Sequence, residues 1–308
     1  MVEKMGKCID EWIRIPQCVE GDKIYHYTTV DGIKGILENN EFWVTKSDFL
    51  NDRLEFKYSL DILKEVAELY IKNTNIKEKF IKYVADEFER INNDTNGLLS
   101  GYYVLSFSKI QDSMLLWAEY SDFMGYCIEF DFNKFKLAMG EKTSLHGEVI
   151  YNKEQQRKLV KETLEKTIAE FNEANNEFKN LFKENPSISD ESLKKLTDYV
   201  AVWIYVYGMF FKKECFKGEG EYRFVFSAFH ERSDKYTKLN VEDMYFRERD
   251  QVLIPYIKIK YDKSKLPVES VLVGTKNNSD IAVKGIKYFL RKEKMDIPVY
   301  KSEIPLRY

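Results

Sequence analysis

The sequence is poor in the residue types that most often bind zinc. It contains four cysteines and three histidines in 308 residues, and no two cysteines stand at CxxC or CxxxC spacing. A structural zinc site is therefore not expected, and neither is any other metal cofactor. Sparse cysteines without a pattern are typical of reduced thiols, which predicts a cytoplasmic protein.

Long apolar runs and dense basic blocks are also absent from the sequence. The longest apolar run, Tyr199 to Phe211, is too short to cross a bilayer and predicts a buried helix, and residues 1–8 lack the apolar core of a secretion signal. The 48 Lys and Arg are spread along the chain against 51 Asp and Glu, so no basic tail indicates a nucleic-acid surface, although a local basic groove stays open. No phosphate loop, dinucleotide fingerprint, nucleophile elbow or HExxH motif occurs.

Alternating and helical periodicities do occur, and together they predict an α+β protein. We expect a single domain with a mixed or mainly antiparallel split sheet, built from residues 23–152 and 215–308, and a helical insertion at 153–214. A strand–helix–strand unit is predicted at 23–45 and a polar loop at 229–250. The other predicted helices are 55–92 with a break at Asn73–Asn75, 112–120, 153–184, 190–214 and 278–293, and the other predicted strands are 102–108, 125–131, 147–151, 252–261, 270–274 and 298–300.

The first polar feature is the strand that contains Tyr25, His26, Tyr27 and Thr28. Side chains alternate between the two faces of a strand, so His26 and Thr28 share one face and the two tyrosines share the other. An imidazole and a hydroxyl on one face can hydrogen-bond a ligand. The alternative is a core histidine that is hydrogen-bonded to the backbone.

The loop at residues 46–55 follows this unit. Asp52 and Glu55 have the spacing of a helix N-cap and its capping-box partner. Such a cap is compatible with Asn51 or Arg53 facing a cleft.

Two later strands also bear polar groups on one face. Ser106 and Ser108 share a face of the strand at 102–108, and Glu219, Glu221 and Arg223 share a face of the segment at 215–228. A charged strand face is costly to bury in a dry core, so the second segment predicts a wet, ligand-filled cleft. The alternative is an edge strand with a Glu–Arg pair at the surface.

Several short blocks resemble a bacterial family of uncharacterised proteins, domain-of-unknown-function family 2971. The resemblance runs from about residue 23 to residue 308, with Arg53 where a proline is expected and an unusually long segment at 153–214. By itself this family implies no activity. The blocks are Tyr-His-Tyr-Thr at 25–28, the Gly-Ile-Leu helix that follows, Phe42–Thr45, Leu-Asn-Asp-x-x-Glu at 50–55, Leu105–Ser108, Met114–Tyr120, Gly125–Phe130, Glu219–Arg223 and Ser302–Arg307.

A histidine on the first strand, serines on a middle strand and glutamates on a late strand are also similar to the ADP-ribosyltransferases, including their DNA-modifying toxin branch. This resemblance implies an enzyme that cleaves the nicotinamide–ribose bond of NAD, in a toxin or phage-defence setting, with a protein or nucleic acid as a possible acceptor. The implied catalytic residues are Glu221, Glu219 and His26. The implied NAD contacts are His26 and Thr28 for the adenosine ribose and a phosphate, Tyr27, Trp117 or Tyr120 for nicotinamide, Arg223 or Arg53 for the pyrophosphate, and Asn51, Ser106 and Ser108 in the cleft.

Two other classes of protein fit the same residues. One is a module that binds a nucleotide without cleaving it. The other is a metal-dependent enzyme that processes nucleic acid, with Glu129, Asp131, Glu219 and Glu221 around a divalent ion.

Overall fold

The computed structural model describes residues 15–50, 55–92, 101–143, 145–174, 178, 181–184, 187–228, 244–249, 251–261, 265–276 and 279–305. Helices and strands alternate along much of this chain. The strands are β1 (Lys23–Thr28), β2 (Glu41–Lys46), β3 (Gly101–Ser108), β4 (Tyr126–Asp131), β5 (Leu145–Glu148), β6 (Glu221–Ala228), β7 (Met244–Arg249), β8 (Val252–Lys260), β9 (Val268–Val273) and β10 (Val299–Lys301). The helices are α1 (Val30–Asn39), α2 (Glu55–Tyr70), α3 (Thr74–Asn92), α4 (Met114–Ser121), α5 (Phe132–Met139), α6 (Lys153–Ala174), α7 (Asp190–Gly208) and α8 (Ser279–Lys292).

The chain forms two compact units. One unit is helical and contains α2, α3, α6 and α7, while the other contains all of these strands together with α1, α4, α5 and α8. The helical unit is therefore larger than the predicted insertion at 153–214, because α2 and α3 pack against α7. None of the helices in the described part of the chain is long and apolar enough to cross a membrane.

The helical unit is organised around α7. Its residues from Val200 to Gly208 are almost all buried, as the apolar run predicts. Two polar contacts lie in this core: the Ser59 hydroxyl donates to the Ile204 carbonyl at 2.9 Å, and the hydroxyls of Thr163 and Tyr207 are 2.8 Å apart. Packing of an apolar helix against α2, α3 and α6 thus stabilises this unit.

The sheet is mainly antiparallel and branches at β3, in agreement with the predicted α+β class. One edge of β3 pairs along its whole length with β6, and β5 pairs with the far edge of β6. The other edge of β3 is shared: Tyr25 of β1 lies opposite Ser108, whereas Thr45 of β2 lies opposite Val104. Beyond β1 the order continues β4, β9, β10, and beyond β2 it continues β8, β7. Among the strand pairs that the structure describes, β9 and β10 are parallel and the others are antiparallel.

The sheet has two chemically different faces. Residues directly opposite each other on paired strands project to the same face, so the register assigns each side chain to one of them. The first, which we call the His26 face, carries Ile24, His26, Phe42, Phe107, Phe130 and Phe224. The second, the Glu221 face, carries Tyr25, Thr45, Ser106, Ser108, Glu221 and Arg223.

The core of this unit lies on the His26 face. Apolar side chains of α1, α5 and α8 pack there with the strand phenylalanines. Phe135 of α5 stands edge-on to Phe107 at a centroid distance of 4.8 Å and to Phe224 at 5.1 Å. Edge-to-face aromatic packing of this kind adds to the stabilisation from buried area.

Most predicted elements are confirmed, with shifted ends. The helical break lies at 71–73 rather than at 73–75, the strand predicted at 147–151 pairs as Leu145–Glu148, and the helix predicted to run to 184 is described to Ala174. The helix predicted to run to 214 ends at Gly208. The prediction of a loop throughout 229–250 is wrong at its end, because Met244–Arg249 pairs with β8 as strand β7.

Candidate functional site

His26 lies where β1 separates from β3. The partly buried ring packs edge-on against Phe42 at 5.6 Å and tilts against Phe107 at 5.5 Å, and Nδ1 is 3.0 Å from the Ser106 carbonyl oxygen. A carbonyl only accepts, so Nδ1 carries the proton in this contact. The geometry is that of a core histidine hydrogen-bonded to the backbone, the alternative that the sequence left open.

Burial lowers the pKa of His26 to about 4, and the hydrogen bond to Ser106 opposes this shift only in part. The ring is therefore neutral at neutral pH. Thr28 shares the His26 face, as predicted, and its hydroxyl lies over Gly32 in the first turn of α1, where an added Cβ would approach Oγ1 to 1.9 Å.

The low pKa of His26 makes stability depend on pH. His26 binds a proton near pH 6.5 in the unfolded chain but only near pH 4 in the folded chain. We therefore expect the free energy of unfolding to be highest above pH 6.5 and to decrease as the pH falls to about 4. His26 contributes up to about 3 kcal/mol to this pH-dependent decrease in the free energy of unfolding. Urea unfolding at several pH values should show a smaller decrease for His26→Gln, whose amide can still donate to Ser106, and equal pH dependence in the two proteins would contradict this assignment.

Glu221 and Arg223 form the most buried ion pair of the described residues on the sheet. The guanidinium Nε donates to Oε1 of Glu221 at 2.7 Å and Nη2 donates to Oε2 at 2.8 Å, while the side chains are only 6% and 2% exposed. The strand β6 lies between β3 and β5 rather than at an edge. The alternative of an exposed edge-strand pair is therefore wrong. The prediction of a wet cleft is also contradicted at these two side chains, because their charges stabilise each other in a largely dry place.

Two serines of β3 stand beside this pair. Ser108 lies directly opposite Glu221 and Ser106 directly opposite Arg223. The Ser108 hydroxyl donates to the Glu219 carbonyl oxygen at 2.7 Å and accepts from the Ile110 amide at 3.0 Å, so it fixes the turn that leads into β6.

That turn requires a glycine. Gly220 has φ +52°, and a Cβ at this position would lie 3.0 Å from Cγ1 of Ile110. Glycine adopts this left-handed conformation without strain, which lets the chain pass from Glu219 in a short 3-10 segment to Glu221 at the start of β6. Glu219 is buried but belongs to the turn and not to the strand.

The expectation that His26 and Glu221 face one cleft is contradicted by the register. Their strands do come together on β3, but Tyr25 is the residue of β1 that lies opposite Ser108, and Ser108 lies opposite Glu221. His26, one residue on from Tyr25, therefore points to the other face. A single ligand on one face of the sheet cannot contact both side chains there.

The aromatic residues predicted to stack on nicotinamide are mostly core residues. Trp117 is fully buried, stands edge-on to Tyr27 at 4.9 Å and donates from Nε1 to Oδ1 of Asp112 at 2.7 Å. Tyr27 is buried and its hydroxyl donates to the Ile110 carbonyl oxygen at 3.0 Å. These two rings have no open face for a ligand. Tyr120 is partly buried and packs against the apolar cluster that contains Tyr27 and Trp117.

The remaining predicted contacts divide into two groups. Arg223 lies on the Glu221 face, as described above. Asn51, Arg53 and the N-cap at Asp52 lie outside the residues that the structure describes.

The carboxylates of the metal-dependent alternative do not converge in the structure. Glu129 of β4 lies in the same cross-strand row as Glu221, but Tyr25 and Ser108 separate them, so three strand spacings lie between the two residues. Asp131 instead caps α5 by accepting from the Lys134 amide at 2.9 Å. In the described part of the chain, no group of three or more His, Cys, Asp or Glu is arranged to hold a metal ion.

Arg247 of β7 is a polar residue of the Glu221 face that the sequence analysis missed. Arg247 lies opposite Ile254 of β8, and Tyr256, two residues further along β8, lies opposite Thr45 of β2. Arg247 and Thr45 therefore project to the same face of the sheet. Its Nη2 donates to the Thr45 hydroxyl at 2.7 Å. The sequence signal that could have pointed to it is the Arg-x-Arg at Arg247–Arg249.

These elements define an α+β protein whose mainly antiparallel sheet carries a buried carboxylate–guanidinium pair. Residues 116–224 match the model of a protein family described as "Protein of unknown function (DUF2971)", which confirms the predicted resemblance to that family over this part of the chain. Glu221 and Arg223 lie within the matched residues, and His26 lies outside them. No match was found among curated proteins or among solved structures.

Proposed function

We propose that the chain binds NAD on the Glu221 face of the sheet and cleaves its nicotinamide–ribose bond, with Glu221 as the catalytic carboxylate. The observation that carries the proposal is the buried pair of Glu221 and Arg223 in direct register with Ser108 and Ser106. A carboxylate, a guanidinium and two hydroxyls on one strand face match the ribose and phosphate groups of a dinucleotide.

The chemistry requires a negative charge at a fixed place. When the bond between ribose C1′ and the nicotinamide nitrogen breaks, the electron pair leaves with nicotinamide and positive charge develops on the ribose. A carboxylate beside the ribose stabilises this oxocarbenium-like state, as carboxylates do in glycoside cleavage. Water or an acceptor nucleophile then adds to C1′ and completes the reaction.

In this proposal His26 does not contact the ligand. It holds the end of β1 against β3 through the Ser106 carbonyl, and so acts on the fold. Arg223 has two roles in turn: it orients Glu221 through two hydrogen bonds, and its cationic charge favours an anionic ligand nearby. Glu219 supports the turn before β6 through its backbone.

The activity would be that of an ADP-ribosyltransferase or an NAD glycohydrolase, to which the sequence bears a resemblance. Transfer to a protein or nucleic acid and hydrolysis differ only in the nucleophile that attacks C1′. We extend the proposal to a cytoplasmic protein without a metal cofactor that acts in a toxin or phage-defence setting.

Nucleotide binding without cleavage is the second candidate, and one observation favours it. Both carboxylate oxygens of Glu221 accept from Arg223, so a ribose hydroxyl must share or displace one of these hydrogen bonds before the carboxylate can act on the ribose. If that exchange does not occur, the Glu221 face binds the nucleotide and leaves it intact.

Release of nicotinamide from NAD by the purified chain tests the proposal. We expect free nicotinamide to accumulate with time, in proportion to the protein concentration. A rise in Tm with NAD but no release would favour the second candidate. Neither a Tm shift nor release would contradict nucleotide binding on this face.

A further inference from the structure

Arg247 is a cation with few partners in a partly buried place. Its Nη2 donates to Thr45, but its Nε is buried and has no hydrogen-bond partner. No carboxylate pairs with Arg247 among the residues that the structure describes. A guanidinium carries five N–H donors in a fork, and a buried donor without an acceptor is costly.

The surroundings of Arg247 add to this cost. Burial lowers the pKa of the guanidinium, and the nearby positive charge of Arg249 lowers it further. The guanidinium carbon lies 5.9 Å from the ring centroid of Tyr256, so one side of the fork is covered by an aromatic ring. An anionic acceptor at Nε would satisfy the donor and the charge together.

Three aromatic rings extend from this point over β2, β8 and β7. Trp43 stacks on Tyr256 at a centroid distance of 4.7 Å, and Tyr245 stacks on the same ring at 5.7 Å. Tyr256 is buried between them, whereas Trp43 and Tyr245 are 41% and 40% exposed. Both ends of the stack therefore present a ring to solvent, and Lys258 lies between them, 4.5 Å from Tyr245 and 5.9 Å from Trp43.

We infer that Arg247 and these rings form a binding site for a nucleoside diphosphate. The phosphates bind the guanidinium and the Thr45 hydroxyl, and the base stacks on the exposed ring of Trp43. Arginine binds phosphate through paired N–H groups, and every nucleobase has a flat face that stacks on an aromatic side chain. The site involves neither Glu221 nor cleavage, so it goes beyond the function proposed above.

The charge of this surface favours a small ligand over a long nucleic acid. Lys258 is already paired with Glu41 at 3.4 Å, and Arg249 adds one further guanidinium close to Arg247. The chain as a whole has a net charge of −3. A polynucleotide gains its affinity by neutralising many phosphates, and this surface offers few cations for that purpose.

Calorimetric titration of the full chain with ADP, pyrophosphate and adenosine tests the inference. We expect Arg247→Met to weaken the binding of ADP and pyrophosphate about 10- to 100-fold, since it removes a charged donor. Trp43→Leu should weaken ADP about 10-fold and leave pyrophosphate nearly unchanged, because it removes only the stacking ring. Arg247→Lys, which keeps the charge and loses the fork, should give an intermediate affinity for pyrophosphate.

A second cationic surface supplies the matched control. A cavity of about 330 Å³ beside α8 is lined by Lys284, Lys287, Arg291 and Lys301. Arg291→Met should leave ADP binding unchanged. The inference would be overturned if ADP did not bind, if it bound Arg247→Met and Arg247→Lys as tightly as the natural chain, or if Arg291→Met abolished its binding. An oligonucleotide that binds about 100-fold tighter than ADP would also overturn it.

Discussion

Replacing Glu221 with glutamine is expected to slow nicotinamide release from NAD at least about 100-fold, the usual effect of removing a group that stabilises charge in a transition state. Glutamine has nearly the same shape and can still accept a hydrogen bond from Arg223. It lacks the negative charge that opposes the oxocarbenium-like ribose. The loss should therefore appear in kcat, while the Tm shift produced by NAD is retained.

Glu119→Gln is the control for this substitution. Glu119 is an exposed residue of α4, so its replacement removes the same charge from a solvent-exposed position. Its release rate should equal that of the natural chain. A folded Glu221→Gln variant that releases nicotinamide at the natural rate would remove Glu221 from the mechanism.

Replacing Arg223 with methionine is expected to lower the free energy of unfolding by about 3–5 kcal/mol, the range for removing one partner of a buried ion pair. Methionine fills much of the space of the arginine side chain but removes the guanidinium that donates to both carboxylate oxygens of the buried Glu221. Urea unfolding monitored by circular dichroism measures the change.

A double-mutant cycle separates the charge from the packing. In Glu221→Leu with Arg223→Met both charges are gone, and an apolar pair of similar volume can be as stable as the ion pair that it replaces. The double variant should therefore recover much of the stability lost by Arg223→Met alone. A loss of less than about 1 kcal/mol for Arg223→Met would mean that water screens the pair, as it does for surface ion pairs.

Local sequence patterns predicted the elements of the sheet better than their ends. Alternation identified β1, β3 and β6, and the apolar run after Tyr199 identified the buried part of α7. The strand β7 was missed because Tyr245, Phe246 and Arg249 are exposed, so the segment lacks the alternation of a half-buried strand. Its identity as a strand comes from pairing with β8, which is a non-local contact.

The candidate site shows a second limit of the sequence. Alternation correctly placed His26 with Thr28, and Glu221 with Arg223, on one face of their own strands. Which of these faces coincide depends on the register between β1, β3 and β6, and a shift of one residue exchanges the faces. The local pattern does not specify that register. It therefore could not show that His26 and Glu221 lie on opposite faces of the sheet.

Ion-pair partners and ring stacks across strands depend on the same non-local pairing. The proximity of Arg247 to Thr45 requires both the pairing of β2 with β8 and that of β8 with β7. The two residues are far apart in the chain, and no local pattern links them.

The nicotinamide release rate of His26→Gln tests the central claim most directly, namely that the reaction takes place on the Glu221 face. At pH 7.5 the His26 ring of the natural chain is neutral, so the substitution changes no charge there. The account predicts a release rate within about 2-fold of the natural chain, since the amide can replace the ring as a donor to Ser106. A folded His26→Gln variant that loses release as completely as Glu221→Gln would contradict it and return His26 to the active site.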